Sequence, residues 1–356
     1  MLFRLADFHI DEIVHRLILA TNKIIHERKE TTLKRRTMLK QCGTGAATLL
    51  GIHSFSFAQS RATRLIVPFA VGGSTDILAR ELAEQLRRLT GQTYVVDNKP
   101  GGAGRVASEL ALAANPDGRT LIVNVASNYT LVPHTNREPA DRNFTTFLPV
   151  SALSVLDFAL YVNPSVPANN VSEYLQLVKK DSSFGFYSTS ALGNITHFLG
   201  LMFAGVTKLS MQDIPFQGGG PALLGVIGGH VPSGIGSVST PLIQAHNIRR
   251  IRALAIMSAT RSPFLPDVPT KAESGVPEVT LSDWIGVFAP PGTPQTAIDS
   301  INALVTEVHK QPEFVLALRK IMLEPTIAGP AECLARLRKE FAIWQPVVRA
   351  SGFVAD

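Results

Sequence analysis

Residues 61–356 predict an α/β fold arranged as two lobes, and three observations carry that expectation. Short apolar runs alternate with stretches of helical periodicity, the pattern of sheets flanked by helices. Glycine- and hydroxyl-rich turns follow several of the runs, as strand–loop–helix units require. The segment is also longer than one hydrophobic core usually serves.

The first unit is the most informative. Residues 64–69, Arg-Leu-Ile-Val-Pro-Phe, read as a buried strand, and Leu78, Leu82, Leu86 and Leu89 recur at helical spacing to predict a helix over 75–89. Between them Gly72-Gly73 permits a tight turn, and Ser74 or Thr75 can cap the helix. Such a turn aims backbone N–H groups and the positive end of a helix dipole at one point, a site suited to an anion. The same residues also suit an ordinary βα turn. Further strands are expected at 93–96, 120–125, 158–162, 184–187 and 252–257, and helices at 105–114, 171–179, 196–203 and 221–227. This alternation predicts largely parallel sheets, with ligands outside the carboxyl ends of the strands. Residues 293–351 read mostly helical, with Pro294 in the first turn and Ile298, Ile301, Leu304 and Val305 on one face.

Two other loops carry polar signals. Residues 97–107 contain a G-x-G-x-x-A match, but Lys99-Pro100 separates it from its strand and the next strand ends without a carboxylate, which argues against a dinucleotide. A second anion-friendly helix start and a plain tight turn both fit. Residues 187–197, Tyr-Ser-Thr-Ser-Ala-Leu-Gly-Asn-Ile-Thr-His, form a strand, a hydroxyl-rich loop and a helix start. Such a loop suits either a polar ligand or a capped surface turn. No G-x-S-x-G elbow and no paired-histidine spacing occurs, and His134, His197, His230, His246 and His309 are scattered. No catalytic residue, metal or cofactor is expected.

The amino-terminal segment reads as an export leader over residues 1–58. Arg35-Arg36 begins a basic region, 43–52 is short, weakly apolar and rich in glycine and alanine, and Ser56-Phe57-Ala58 offers a small-residue exit. The paired arginines favour the twin-arginine type, and the apolar stretch is too short to span a membrane. Nine of the 34 basic and five of the 28 acidic residues lie in this leader, so the remainder carries a net charge near +2 instead of +6. Without a basic run on the folded part, nucleic acid is not an expected partner. Beyond the leader Cys333 is the single cysteine, so stability must come from packing and not from an internal disulfide.

An ordered set of motifs then resembles one family. These are Arg-Leu-Ile-Val-Pro-Phe…Gly-Gly-Ser-Thr-Asp (64–76), Asp-Asn-Lys-Pro-Gly-Gly-Ala-Gly (97–104), Asn-Pro-Asp-Gly-Arg-Thr-Leu (115–121) and Val-Asn-Pro-Ser-Val-Pro-Ala (162–168). Pro-Phe-Gln-Gly-Gly-Gly-Pro-Ala-Leu (215–223), Arg-Ala-Leu-Ala-Ile (252–256), Arg-Ser-Pro-Phe-Leu-Pro-Asp-Val-Pro-Thr (261–270) and Trp284…Ala-Pro-Pro-Gly-Thr-Pro (289–294) complete it. The order is similar to the Bug family, the extracytoplasmic solute-binding receptors of tripartite tricarboxylate transporters, over essentially all of 61–356. The resemblance implies a periplasmic-binding-protein fold, two lobes closing like a flytrap on a small solute, in most members a carboxylate. It implies a first lobe over 59–157, a second over 158–282, and a return to the first over 283–356. It places ligand contacts at Ala70, Val71, Gly72, Gly73, Ser74 and Asp76, with Ser127 nearby, and at Thr189, Gly193, Asn194 and His197 across the cleft. It also implies a periplasmic monomer that partners membrane permease subunits. Ala191 and Asn194 depart from the Gly-x-Gly-Ser of the second-lobe loop, and Pro232 follows Val231 where an Asp is usual, so ligand identity stays open. A receptor that presents its bound state to a sensor kinase, and an enzyme using the same cleft, are the alternatives.

Overall fold

The computed structural model describes residues 62–101, 104–135, 147–276 and 281–355, so the leader expected over 1–58 lies outside the described residues. Along the chain come β1 (Thr63–Val67), α1 (Ser74–Thr90), β2 (Tyr94–Asn98), α2 (Arg105–Leu112), β3 (Thr120–Val125), α3 (Ser127–Thr130), α4 (Val132–Thr135) and β4 (Leu148–Leu156). After Asp157 alone follow β5 (Phe158–Val162), α5 (Val171–Lys180), β6 (Phe186–Thr189), α6 (Ile195–Thr207), β7 (Gln212–Pro215), α7 (Gly219–Ile227), β8 (Ser233–Ser237), α8 (Thr240–Asn247) and β9 (Arg252–Ile256). The last stretch holds β10 (Asp283–Ala289), α9 (Gln295–His309), α10 (Pro312–Lys320), β11 (Glu324–Pro325) and α11 (Pro330–Ser351).

Two sheets form, one in each lobe. The first has the order β11–β4–β10–β3–β1–β2 and the second β7–β6–β8–β5–β9. Leu65, Ile66 and Val67 of β1 form an unbroken apolar run because both faces are covered there: Leu65 and Val67 pack in one cluster with Leu78, Leu82 and Leu86 of α1, and Ile66 packs in the opposite one. The second sheet is covered in the same way by two clusters, one around Phe158, Leu160 and Phe198 and one around Tyr161, Val226 and Leu242.

The expectation of largely parallel sheets needs correction. β1 pairs parallel with β2 and β3, and β6 parallel with β7 and β8, but β10 runs antiparallel to β3 and β4, and β5 antiparallel to β8 and β9. The cause is the route of the chain. β4 leads out of the first sheet straight into β5, β9 leads out of the second, and β10 returns, so each strand that enters or leaves opposes its neighbours.

β4, β7, β8, β10 and β11 were not legible as strands. In β4, Ser151 and Ser154 interrupt the apolar run yet are fully buried. In β8, Gly234 is required because the Tyr161 ring lies against it: a Cβ there would stand 2.6 Å from the ring. Helix α11 joins the two halves of the molecule. Cys333 and Leu337 pack in the first-lobe cluster around Trp284, and Trp344 and Val348 pack in the second-lobe cluster around Phe198.

Candidate functional site

A cleft of about 820 Å³ opens between the two sheets. The first lobe contributes Gly72–Thr75, Gly104, Ser127, Asn128 and Asp283, and the second contributes Tyr161, 190–196, Gly219, Gly220, Ser237 and Ser239. These loops follow the carboxyl ends of β1, β3, β6, β7 and β8, the place where open α/β sheets bind ligands. Helices α1, α2, α6, α7 and α8 all start beside this wall. Their first-turn amides have no carbonyl one turn back, so they present donors and positive dipole ends to the cleft. No Lys, Arg or His lines it among the described residues. A second cavity of about 210 Å³, lined by Gly118, Ala297 and Ile301 among others, holds none of the residues expected to touch a ligand.

The first loop is held from behind. Gly72 takes φ +87°, a conformation that favours glycine, and donates its N–H to Asp76 Oδ2 at 2.8 Å. Asn98 Nδ2 reaches Asp76 Oδ1 at 2.9 Å, and Arg80 Nε reaches Oδ2 at 3.1 Å. Burial pushes the Asp76 carboxyl upward, but hydrogen bonds from Arg80, Gly72 and Asn98 and the Arg80 charge outweigh it, so its pKa lies below the ordinary value. Neither Ser74 nor Thr75 caps α1, as the sequence suggested; the cap position is Gly73 and makes no side-chain bond. The Asp76 side chain reaches back over the turn in their place. Ser74 and Thr75 are left to line the cleft wall.

The second-lobe loop is wired to itself. Asn194 Oδ1 accepts the His197 N–H at 3.1 Å and the Thr196 hydroxyl at 2.8 Å, and its Nδ2 donates to Ser190 Oγ at 2.6 Å. Asn194 is thus the N-cap of α6. Thr189 Oγ1 lies 2.6 Å from Thr196 Oγ1. The His197 Nδ1 accepts the Gly193 N–H at 3.2 Å, leaving the ring proton on Nε2, which faces Asp213 at 3.7 Å. Burial lowers the His197 pKa against the pull of Asp213. Asn194→Ala therefore loses a cap and should cost about 1 kcal/mol of stability without ligand, measured by urea unfolding.

Of the residues expected to touch a ligand, Gly72, Gly73, Ser74, Ser127, Gly193 and Asn194 line the cleft. Asp76, Thr189 and His197 are buried behind the wall, where they hold the two loops. Ala70 and Val71 lie outside it, exposed at the loop crest, with Val71 70% exposed.

Sequence reasoning missed Asp283 altogether. Its carboxylate accepts the Ser127 N–H at 3.1 Å, the Ser127 hydroxyl at 2.5 Å and the Trp284 N–H at 2.8 Å. Full burial raises its pKa against those hydrogen bonds. Asn128, Tyr161, Gly219, Gly220, Ser237 and Ser239 were missed as well, although the triple glycine at 218–220 was visible as a motif.

The chain is similar to several known proteins. BugT of Bordetella pertussis is 32% identical over 82% of this chain and 90% of its own length. The solved periplasmic binding protein BugD is 27% identical, with a TM-score of 0.70 over 83% of this chain and 99% of its own. An R. palustris protein solved with adipate is 31% identical, with a TM-score of 0.72 over 82% and 98%. MatC from Rhodopseudomonas palustris, solved with bound malate, is 26% identical, with a TM-score of 0.69 over 81% and 98%. The profile of tripartite tricarboxylate transporter family receptors matches residues 78–353, from the first helix of one lobe through the last helix that joins both. With two sheets facing one cleft and that match spanning them, the chain belongs to the receptor family of the tripartite tricarboxylate transporters.

Proposed function

We propose that this chain captures a small organic carboxylate between its lobes in the periplasm and presents it to the permease subunits of its transporter. It works as a monomeric receptor and not as an enzyme, with no metal or cofactor. The donor set of the cleft carries this reading: five helix starts face one space whose described wall holds no cation. Backbone amides and hydroxyls can hold a carboxylate in this way, directly or through water. The relatives solved with malate and with adipate support the same chemistry. The family match favours a transporter over a sensor kinase as partner.

We assign the first lobe to 59–157 with a return over 283–356, and the second to 158–282. In this reading Gly72, Gly73, Ser74, Ser127, Gly193 and Asn194 face the ligand, while Asp76, Thr189 and His197 position them. Residues 1–58 serve as a twin-arginine-type export leader, read from Arg35-Arg36 and Ser56-Phe57-Ala58. No helix among the described residues is long and apolar enough to cross a membrane.

Ser74→Pro tests the site. Ser74 is the first residue of α1, where proline is tolerated, and Gly73 before it is already extended at φ −73° and ψ 160°. The change removes one amide N–H and one hydroxyl from the wall and leaves the helix intact. Calorimetric titration with adipate should show affinity lower by about tenfold or more, with the melting temperature of the free protein unchanged. Wild-type affinity in this variant would take the head of α1 out of the site.

A further inference from the structure

We infer that the ligand is a carboxylate with a contiguous apolar, uncharged body, and that the cleft rejects ammonium groups and a third carboxylate. This rests on the receptor reading above and concerns which acids that receptor takes. Three observations carry it.

The first is charge. Among the described residues lining the cleft the only carboxylate is Asp283, and both its oxygens are already engaged by Ser127 and Trp284. An amino acid would bring an ammonium with no free carboxylate to meet it. A tricarboxylate would bring extra negative charge toward a wall whose described residues include no Lys, Arg or His and do include Asp283. Burying a charge without a partner is costly in either case.

The second is hydrogen-bonding capacity. Thr189, Ser190, Asn194 and Thr196, the hydroxyl- and amide-rich side chains of the second-lobe loop, bond to one another. What resembles a polar binding loop in the sequence is a self-contained network. It offers little to a ligand that carries several hydroxyls.

The third is the rest of the surface. Phe69, Val132, Leu156, Ile195, Leu223 and Ile285 come from both lobes and line the same space. They provide an apolar lining that a ring or a run of methylenes can cover on closure. The donors at the helix starts then hold the carboxylate end.

Matched pairs of acids test this by calorimetric titration of the intact receptor. 3-Phenylpropanoate differs from phenylalanine by the ammonium, and adipate from citrate by a hydroxyl and a third carboxylate at equal carbon number. The first member of each pair should bind at least about tenfold tighter, and that binding should weaken in Ser74→Pro. Equal or tighter binding of phenylalanine or citrate would overturn the inference and leave the receptor reading standing. Failure of all four to bind would count against both.

Discussion

Asp76→Ala lowers the unfolding free energy by about 1–2 kcal/mol, because it removes a buried carboxylate that accepts three hydrogen bonds, one of them from the charged Arg80. The carboxylate is 1% exposed and accepts from Gly72, Arg80 and Asn98 at once. Alanine keeps the helix but removes the group that ties β2 to the first turn of α1. The Gly72 turn and the amides beside it then lose their fixed aim, so ligand affinity falls together with stability. Asp76→Asn keeps an acceptor of the same shape and should recover part of both. The pH dependence has a definite sign. A carboxyl whose folded pKa is depressed contributes stability that is present above its ordinary pKa of 3.8 and is lost as pH falls through the folded value. Acid unfolding of the wild type should thus include a component that Asp76→Ala lacks. Equal acid profiles and equal stability in the two proteins would show that Asp76 does not hold the loop.

Glu340→Gln changes the pH dependence of stability in the opposite sense. Glu340 in α11 is buried, accepts from Trp284 Nε1 at 3.2 Å and pairs with Arg336 at 2.7 Å. Burial raises its carboxyl to about 7; Arg336 pulls it down, and the nearby Asp283 pushes it further up. The folded state therefore binds a proton that the unfolded chain has released once pH passes 4.5, and stability falls as pH rises from about 4.5 to 7. The full effect of this group is on the order of 3 kcal/mol and is complete above pH 7. Glutamine retains an acceptor for Trp284 and cannot ionise. The variant should be more stable than wild type at pH 8 and close to it at pH 5, as read from urea unfolding at the two values. A shallower slope of the same sign remains, because the Asp283 carboxyl is raised in the same direction. Since Trp284 follows Asp283, which holds Ser127, the state of Glu340 also bears on the cleft wall.

The physical basis of what the sequence could reveal is visible in particular residues. β1, β3 and β5 were legible because coverage on both faces gives unbroken apolar runs at residues 65–67, 121–123 and 158–162, and the glycine and serine turns after the first two marked loops that became the cleft. β8 hid its strand character because two of its five residues are glycines fitted under Tyr161, a contact that no local pattern encodes. Segment length pointed to two lobes, and the family resemblance supplied their expected bounds and the candidate contact residues. It did not distinguish residues on the wall from those behind it. Asp76, Thr189 and His197 sit in the expected loops, and only the fold shows their side chains turned inward. Asp283 was beyond reach because its partner Ser127 lies 156 residues away in the chain.

A receptor of this kind works by closing its two lobes over one carboxylate. A ligand that bridges them binds the closed form better and so shifts the population toward it. Small-angle X-ray scattering on the chain starting at Gln59, with and without the tightest-binding acid of the matched pairs at saturation, measures this directly. The radius of gyration should be smaller with ligand than without, and should not change for Ser74→Pro when that variant is left unsaturated at the same concentration. An unchanged profile for the wild type at saturating ligand would contradict closure on a bound solute.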